Sequence, residues 1–247
     1  MINSLELSIP QIKKNPKSAK LFFKENGFLI ERNHFKKEIC ESIKNKAYSL
    51  KDYQEKIYKP LMMPHKNIKI FMDIMKNEQL INFMNLLIGD NQNKICGLQS
   101  EFFYGSPGTT GFAMHQDSFY TEPSIADGFA SAWIPLVDLE KDMGNLIVYN
   151  KSHLKGKLPV KKLHAHKDPN QDPNANNEEA IIDINEEEKI LINENMGSII
   201  FLHGDLVHSS LKNKTNKFRS VLLLTYLRSN CSFRAGRNAN RELIYLD

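Results

Sequence analysis

From Cys96 onward the chain breaks into short apolar runs: "ICGLQSEFFY", "FAMHQDSFY", "GFASAWIPLVDL", "NLIVYN", "GSIIFLHG", "LVHSSL" and "RSVLLLTYL". Gly, Pro, Asn and Asp punctuate them. Runs this short and this regularly interrupted are strands, and many of them in succession close into a barrel or jelly roll rather than a doubly wound sheet. Neither G-x-G-x-x-G nor G-x-x-x-x-G-K-[ST] occurs, which disfavours dinucleotide and P-loop enzymes.

The first third reads differently. "SAKLFFKENGFLIERNHF" has helical spacing up to Phe23, a stop at Asn26-Gly27, and a strand at "FLIE". "KKEICESIKNKAYSL" places Ile39, Ile43 and Ala47 four apart, an amphipathic helix. "NEQLINFMNLLIGD" predicts another, closed by Gly89 as a C-cap. Met62, Met63, Met72, Met75 and Met84 fall in or near these segments and read as core filler. The expected architecture is one domain over 1–247: a mostly β chain with flanking α-helices, its helix-rich N-terminal third packing on a core from about 96 to 230. Residues 155–195, with "KDPNQDPNANNEEA", are expected to leave that core as a polar surface excursion, placed where a lid over the barrel mouth would sit.

Composition bounds the function classes. At 41% hydrophobic and 25% charged, 247 residues can bury a sizeable core. The net charge of +4 is scattered, without the basic stripe interleaved with aromatics that tracks nucleic acid. Three distant cysteines, Cys40, Cys96 and Cys231, make no disulfide framework or zinc ribbon. No apolar run is long enough to span a membrane, and "MINSLELSIPQIKKNPK" is no signal peptide. The expectation is a soluble, cytoplasmic protein with a small-molecule substrate and no nucleic-acid or membrane partner; oligomeric state is not legible.

Within "FAMHQDSFY", His115 and Asp117 flank one residue. On a strand, residues two apart share a face, so these two side chains project together and Gln116 points away. Alone this is a weak signal. "FLHGDLVHSSL" adds His203 and His208 downstream, either of which completes two imidazoles and a carboxylate, the facial set that suits non-haem Fe(II) and leaves coordination positions open. Arg219 begins a strand otherwise free of charge. A guanidinium aimed into a barrel is costly unless it meets an anion, and a dicarboxylate chelating iron at one end needs a forked cation at the other.

Together these features resemble the phytanoyl-CoA dioxygenase family of Fe(II)/2-oxoglutarate-dependent oxygenases. The matching stretches are "PGTTGFAMHQDSFY", "SAWIPLVDLEKDMGNLIVYNKSHLKG" and "GSIIFLHGDLVHSSLKNKTNKFRS". The family places its arginine eleven residues after the distal histidine. Arg219 stands eleven after His208 and sixteen after His203, so the resemblance implies iron on His115, Asp117 and His208, with His203 structural. It also implies a double-stranded β-helix core, 2-oxoglutarate held by Arg219 and Ser210, Trp133 beside it, and O2 as oxidant. Gln116 matches the family despite its strand parity. Gln99 is a further candidate for the co-substrate site, from the preceding strand. Asn150-Lys151-Ser152-His153 departs from the family's Gly-Ser-His, a change in a turn, and His153 is expected to be structural.

The activity so implied is hydroxylation of an unactivated C–H bond with release of succinate and CO2; the retained Asp117 favours it over chlorination. Desaturation or cyclisation would use the same residues. Rival readings are a zinc hydrolase on the His/Asp/His set, a non-catalytic binding or sensor protein on the same fold, and a nucleic-acid demethylase. Phe119, Tyr120 and Tyr104, near the ligands in sequence, are expected to line the substrate pocket. Arg234, Arg237 and Arg241 are expected to face water, as are His164 and His166.

Overall fold

The computed structural model describes residues 8–50, 60–163, 178–236 and 239–246. His164, His166 and Arg237 lie outside them, as does the middle of the expected excursion. Among the described residues, four helices fill the N-terminal third: α1 (Pro16–Asn26), α2 (Lys37–Tyr48), α3 (Lys69–Met75) and α4 (Glu78–Ile88). Asn15 caps α1 through its side chain, accepting from the Ser18 N–H, and Asn77 does the same for α4 at Leu80. The buried stripe of α2 is Cys40, Ile43 and Ala47, so the predicted helix buries Ile43 and Ala47 as expected, with Cys40 in place of the exposed Ile39. Gly89 does end α4, yet in extended backbone and not as a left-handed cap. A Cβ there would stand 2.3 Å from the Asn85 carbonyl oxygen, so close approach selects the glycine.

The strands are β1 (Phe28–Glu31), β2 (Leu61–Met62), β3 (Ile95–Gly105), β4 (Phe129–Pro135), β5 (Leu146–Tyr149), β6 (Val160–Lys162), β7 (Glu178–Ala180), β8 (Lys189–Leu191), β9 (Ile199–His203), β10 (His208–Ser210), β11 (Arg219–Arg228) and β12 (Ile244–Tyr245). The large sheet runs β1-β9-β4-β11-β3-β12, with β2 also on β3; a small sheet runs β10-β5-β8; β6 and β7 pair separately. The pairings are antiparallel. This is the double-sheet jelly roll expected from the strand pattern.

Both faces of the large sheet are covered, which explains why β4 and β9 are buried along their whole length rather than at alternate residues. Ala130, Ala132 and Ile134 of β4 and Leu222, Leu224 and Tyr226 of β11 pack with the helices in one core. Trp133 and Val221 face the other way, joining Leu146, Val148, Ile190 and Ile192 from the small-sheet side in a second. Over Ala130–Ile134 and Val221–Tyr226 the even-numbered residues thus build the helical core and the odd-numbered ones face the interior of the jelly roll, while Phe129 and Leu227 at the strand ends pack with Cys96, Leu98 and Cys231.

The expected excursion is only partly one. β8 lies within it and pairs with β5, and Ile192 is buried. The β6–β7 ribbon also touches the core, where the Ala180 N–H donates to the Met114 carbonyl. Alternating Ile residues at 190 and 192 give the segment enough apolar surface to join the second core. Among the described residues no helix is long and apolar enough to cross a membrane.

Candidate metal centre

His115 and His208 sit on two segments held by a single antiparallel bridge. Each backbone N–H donates to the other's carbonyl, at 2.9 and 3.0 Å. Their rings lie 4.1 Å apart between centroids. Asp117 is not on a strand with His115. It opens a five-residue helix, α5 (Asp117–Thr121). The i, i+2 geometry survives because Gln116 between them is extended, at φ −117° and ψ 135°. The chain turns helical at Asp117 because Ser118 N–H is drawn to Gly204 O and the Ser118 hydroxyl to the Asp205 carboxylate.

Among the described residues, one group of three or more ligand-type side chains converges: His115, Asp117 and His208, with one donor atom from each within 4.8 Å of the others. Asp117 Oδ1 is 3.6 Å from His208 Nε2. The other polar atoms are already engaged. His115 Nδ1 meets the Ala113 carbonyl at 2.8 Å, and His208 Nδ1 meets that of Leu206 at 3.0 Å. A carbonyl only accepts, so each Nδ1 carries the proton and each Nε2 presents its lone pair to the centre. Asp117 Oδ2 accepts from the Ser131 hydroxyl at 2.6 Å. Burial, and then the neighbouring His208, lowers the His115 pKa to about 4, keeping the imidazole neutral. Two neutral imidazoles and one carboxylate, each oriented by a fixed partner, fit a divalent transition metal.

A cavity of about 300 Å³ opens on these three side chains. Its back wall is the row of odd-numbered residues on β3, β4 and β11. Register places Arg219 opposite Gly105, Leu223 between Glu101 and Trp133, and Thr225 between Gln99 and Ser131. Arg219 is 3% exposed. Its guanidinium lies 5.9 Å from the Phe103 ring and 6.0 Å from that of Trp133, and donates to the Gly144 carbonyl. Ser210 lines the cavity two residues beyond His208, its Oγ accepting from the Phe112 N–H at 2.8 Å.

The remaining candidates divide. Tyr120 lines the cavity, and so does Gln99, at the end remote from Arg219. Gln116 does not line it: its amide donates to the Gly156 and Asp205 carbonyls and accepts from Leu158 N–H, tying three loops together. Tyr104 is even-numbered on β3 and packs in the helical core against Tyr48 and Phe102. Phe119 stacks edge-on with Tyr120, away from the cavity lining. His203 is not part of the converging set. Its Nδ1 accepts from Asp205 N–H and its ring lies 5.1 Å from His153, whose Nε2 meets the Lys24 carbonyl.

Four lining or supporting residues escape a reading based on proximity in sequence: Ser131, Glu101, Thr225 and Arg241. Strand parity identifies the first three, at two residues from Trp133, two from Gln99 and six from Arg219. Arg241, expected to face water, instead lines the cavity, with Nε donating to Gln99 Oε1 at 2.6 Å. Nothing in "GRNANREL" marks it. Burial, and then the Asp117 charge, pushes the Glu101 carboxyl up to about 7.

The chain is similar to solved structures of low sequence identity. Over 89% of this chain and 87% of the other, it matches the epimerase SnoN in complex with Fe3+, alpha ketoglutarate and nogalamycin RO, at 16% identity and a TM-score of 0.70. The non-heme alpha ketoglutarate dependent carbocyclase SnoK from nogalamycin biosynthesis matches at 13% identity and 0.69, covering 97% of this chain and 100% of that one. EvdO2 from Micromonospora carbonacea var. aurantiaca, complexed with 2-oxoglutarate, matches at 13% and 0.69, covering 89% and 93%. At these identities the likeness shows the fold. No curated protein matches. The family model for phytanoyl-CoA dioxygenase (PhyH), whose members use Fe(II), 2-oxoglutarate and O2, matches residues 23–221. On that match, which spans most of its length, the chain belongs to the phytanoyl-CoA dioxygenase family.

Proposed function

We propose that this protein is an Fe(II)- and 2-oxoglutarate-dependent oxygenase that hydroxylates an unactivated C–H bond of a small molecule, releasing succinate and CO2. The observation that carries this reading is the opening of one cavity on two free imidazole Nε2 atoms, an aspartate oxygen and, along the same wall, a buried arginine.

In this reading His115, Asp117 and His208 hold the iron. When bound, the iron activates O2 at the expense of 2-oxoglutarate. The protein's own part is positional. The carbonyls of Ala113 and Leu206 hold the two imidazoles in one tautomer, and Ser131 holds the Asp117 carboxylate. Arg219 takes the distal carboxylate of 2-oxoglutarate in its fork, and Ser210 contributes its hydroxyl. The rings of Phe103 and Trp133 keep water from that ion pair, which strengthens it. A zinc hydrolase would use the same three ligands but leaves the buried Arg219 without a substrate group to bind.

Adding 2-oxoglutarate to the Fe(II) protein under anaerobic conditions should produce a visible charge-transfer absorption. Aerobic incubation with metabolite pools should then release succinate in step with a product one oxygen atom heavier. A product that is isomeric, or lighter by two hydrogens, would replace hydroxylation with epimerisation or ring closure, the kinds of reaction named for SnoN and SnoK. Absence of both the absorption and succinate release would sink the reading.

A further inference from the structure

The cavity wall opposite the arginine end carries polar groups that the iron and 2-oxoglutarate do not use. Thr225 is 2% exposed, and its hydroxyl has no hydrogen-bond partner among the described residues. The Tyr120 hydroxyl is likewise buried without one. Both residues line the cavity, together with Gln99, Glu101 and Arg241. Gln99 links the two side chains: its amide donates to Glu101 Oε2 at 3.2 Å and accepts from Arg241 Nε at 2.6 Å. Arg241 is anchored further by the carbonyls of Tyr120, Arg234 and Ala235. Buried hydroxyls are normally paired, and leaving one unpaired costs roughly 1–3 kcal/mol. Two lining one cavity, from β11 and α5, beside a bridged carboxylate and guanidinium, mark a surface built to bind something polar.

Arg219 and Thr225 lie six residues apart on one face of β11, roughly 20 Å at strand rise. The two ends therefore serve different ligands. Resting on the oxygenase reading above, we infer that Glu101, Thr225, Tyr120 and Arg241 form the prime-substrate subsite and that it reads a neutral carbon skeleton bearing neighbouring hydroxyl groups. An ammonium approaching Glu101 would also meet the Arg241 guanidinium. A carboxylate approaching Arg241 would also meet Glu101. Like charges oppose each of these ions at a site where the opposite charge attracts it. A hydroxyl both donates and accepts, so a vicinal pair can satisfy Glu101 as acceptor and Thr225, Tyr120 or Arg241 as donor. Met62 and Leu223 supply apolar contact for the skeleton between them.

The test uses three ring-sized probes: myo-inositol, an aminocyclitol with one hydroxyl replaced by an amine, and quinate. Ligand-detected NMR titrations on the full chain, both iron-free and loaded anaerobically with Fe(II) and 2-oxoglutarate, should show myo-inositol binding about tenfold more tightly than either ion. Thr225→Val, which keeps the shape and removes the hydroxyl, should weaken myo-inositol about tenfold. Glu101→Gln should weaken it similarly and raise quinate affinity, because Arg241 then lacks its counter-charge; a merely structural role for Glu101 would not invert the order. Both variants should retain the thermal unfolding transition and 2-oxoglutarate affinity. Myo-inositol binding no more tightly than the ions, or an unchanged probe order in Glu101→Gln, overturns the inference. Failure of 2-oxoglutarate to bind the Fe(II) protein sinks the oxygenase reading instead, while the iron-free titrations still decide the subsite.

Discussion

Ser131 Oγ donates to Asp117 Oδ2 at 2.6 Å, so a strand in the large sheet fixes a carboxylate that stands on a separate short helix. Without that bond Asp117 would be free to rotate away from His115 and His208. Partners of this kind typically contribute ~10–100-fold to metal affinity. Ser131→Ala should therefore weaken Fe(II) binding by about that factor in competition with a chelator, while His208→Ala should abolish it. Equal affinity in Ser131→Ala and the parent protein would show that the helix alone orients the carboxylate.

Arg219 is placed to bind a carboxylate through two parallel N–H groups. Lysine keeps the charge but loses the fork and the stacking on Phe103 and Trp133. Arg219→Lys should raise the 2-oxoglutarate dissociation constant by about tenfold or more in anaerobic titration, with Fe(II) affinity unchanged. An unaltered constant would remove Arg219 from the co-substrate site.

Gly111 has φ +84°, and a Cβ there would stand 2.3 Å from the Ser210 carbonyl oxygen and 2.5 Å from that of Leu211. Gly108 has φ +86° with nothing within 4 Å of the same position. Gly108→Ala should cost only the left-handed backbone penalty, about 1–2 kcal/mol. Gly111→Ala adds a clash that pushes the segment carrying His115 off β10, and should cost more than about 3 kcal/mol and lower metal affinity as well. Denaturant unfolding of the two variants side by side checks this; equal losses would mean that the Gly111 contact relaxes without cost.

Burial lowers His34 and His65 to about 4, in each case ahead of a nearby lysine, Lys13 and Lys66. In the unfolded chain both titrate near the ordinary histidine value of about 6.5. Between these values the unfolded state binds more protons, so stability rises with pH across that window. The neutral rings are fully accommodated above pH ~6.5 and stability falls progressively toward pH ~4. The iron-free protein should show a lower unfolding temperature at pH 5 than at pH 7.5. His65→Asn should flatten that slope, and a slope unchanged by the substitution would rule out His65 as a contributor.

Much of this protein is legible along the chain. The period of two places Gln99, Glu101 and Phe103 on one face, the helical spacing marks α1 and α4, and the turn residues separate the strands. Those are short-range consequences of backbone geometry, so neighbouring residues suffice to reveal them. The conformation of Asp117 was not among them. Its residue pattern continues a strand, but Gly204 and Asp205, remote in sequence, capture Ser118 and start a helix. Tyr104 and Phe119 sit close to the ligands in sequence and point elsewhere, Tyr104 because a one-residue step on a strand reverses the face and Phe119 because the chain has turned into the short helix α5. Arg241 reaches the cavity only because β12 pairs with β3 and brings the chain end against Gln99. Local sequence determined which elements form and which of their faces are apolar. The pairing of distant segments decided which polar groups share a cavity, since that depends on contacts no single stretch of chain contains.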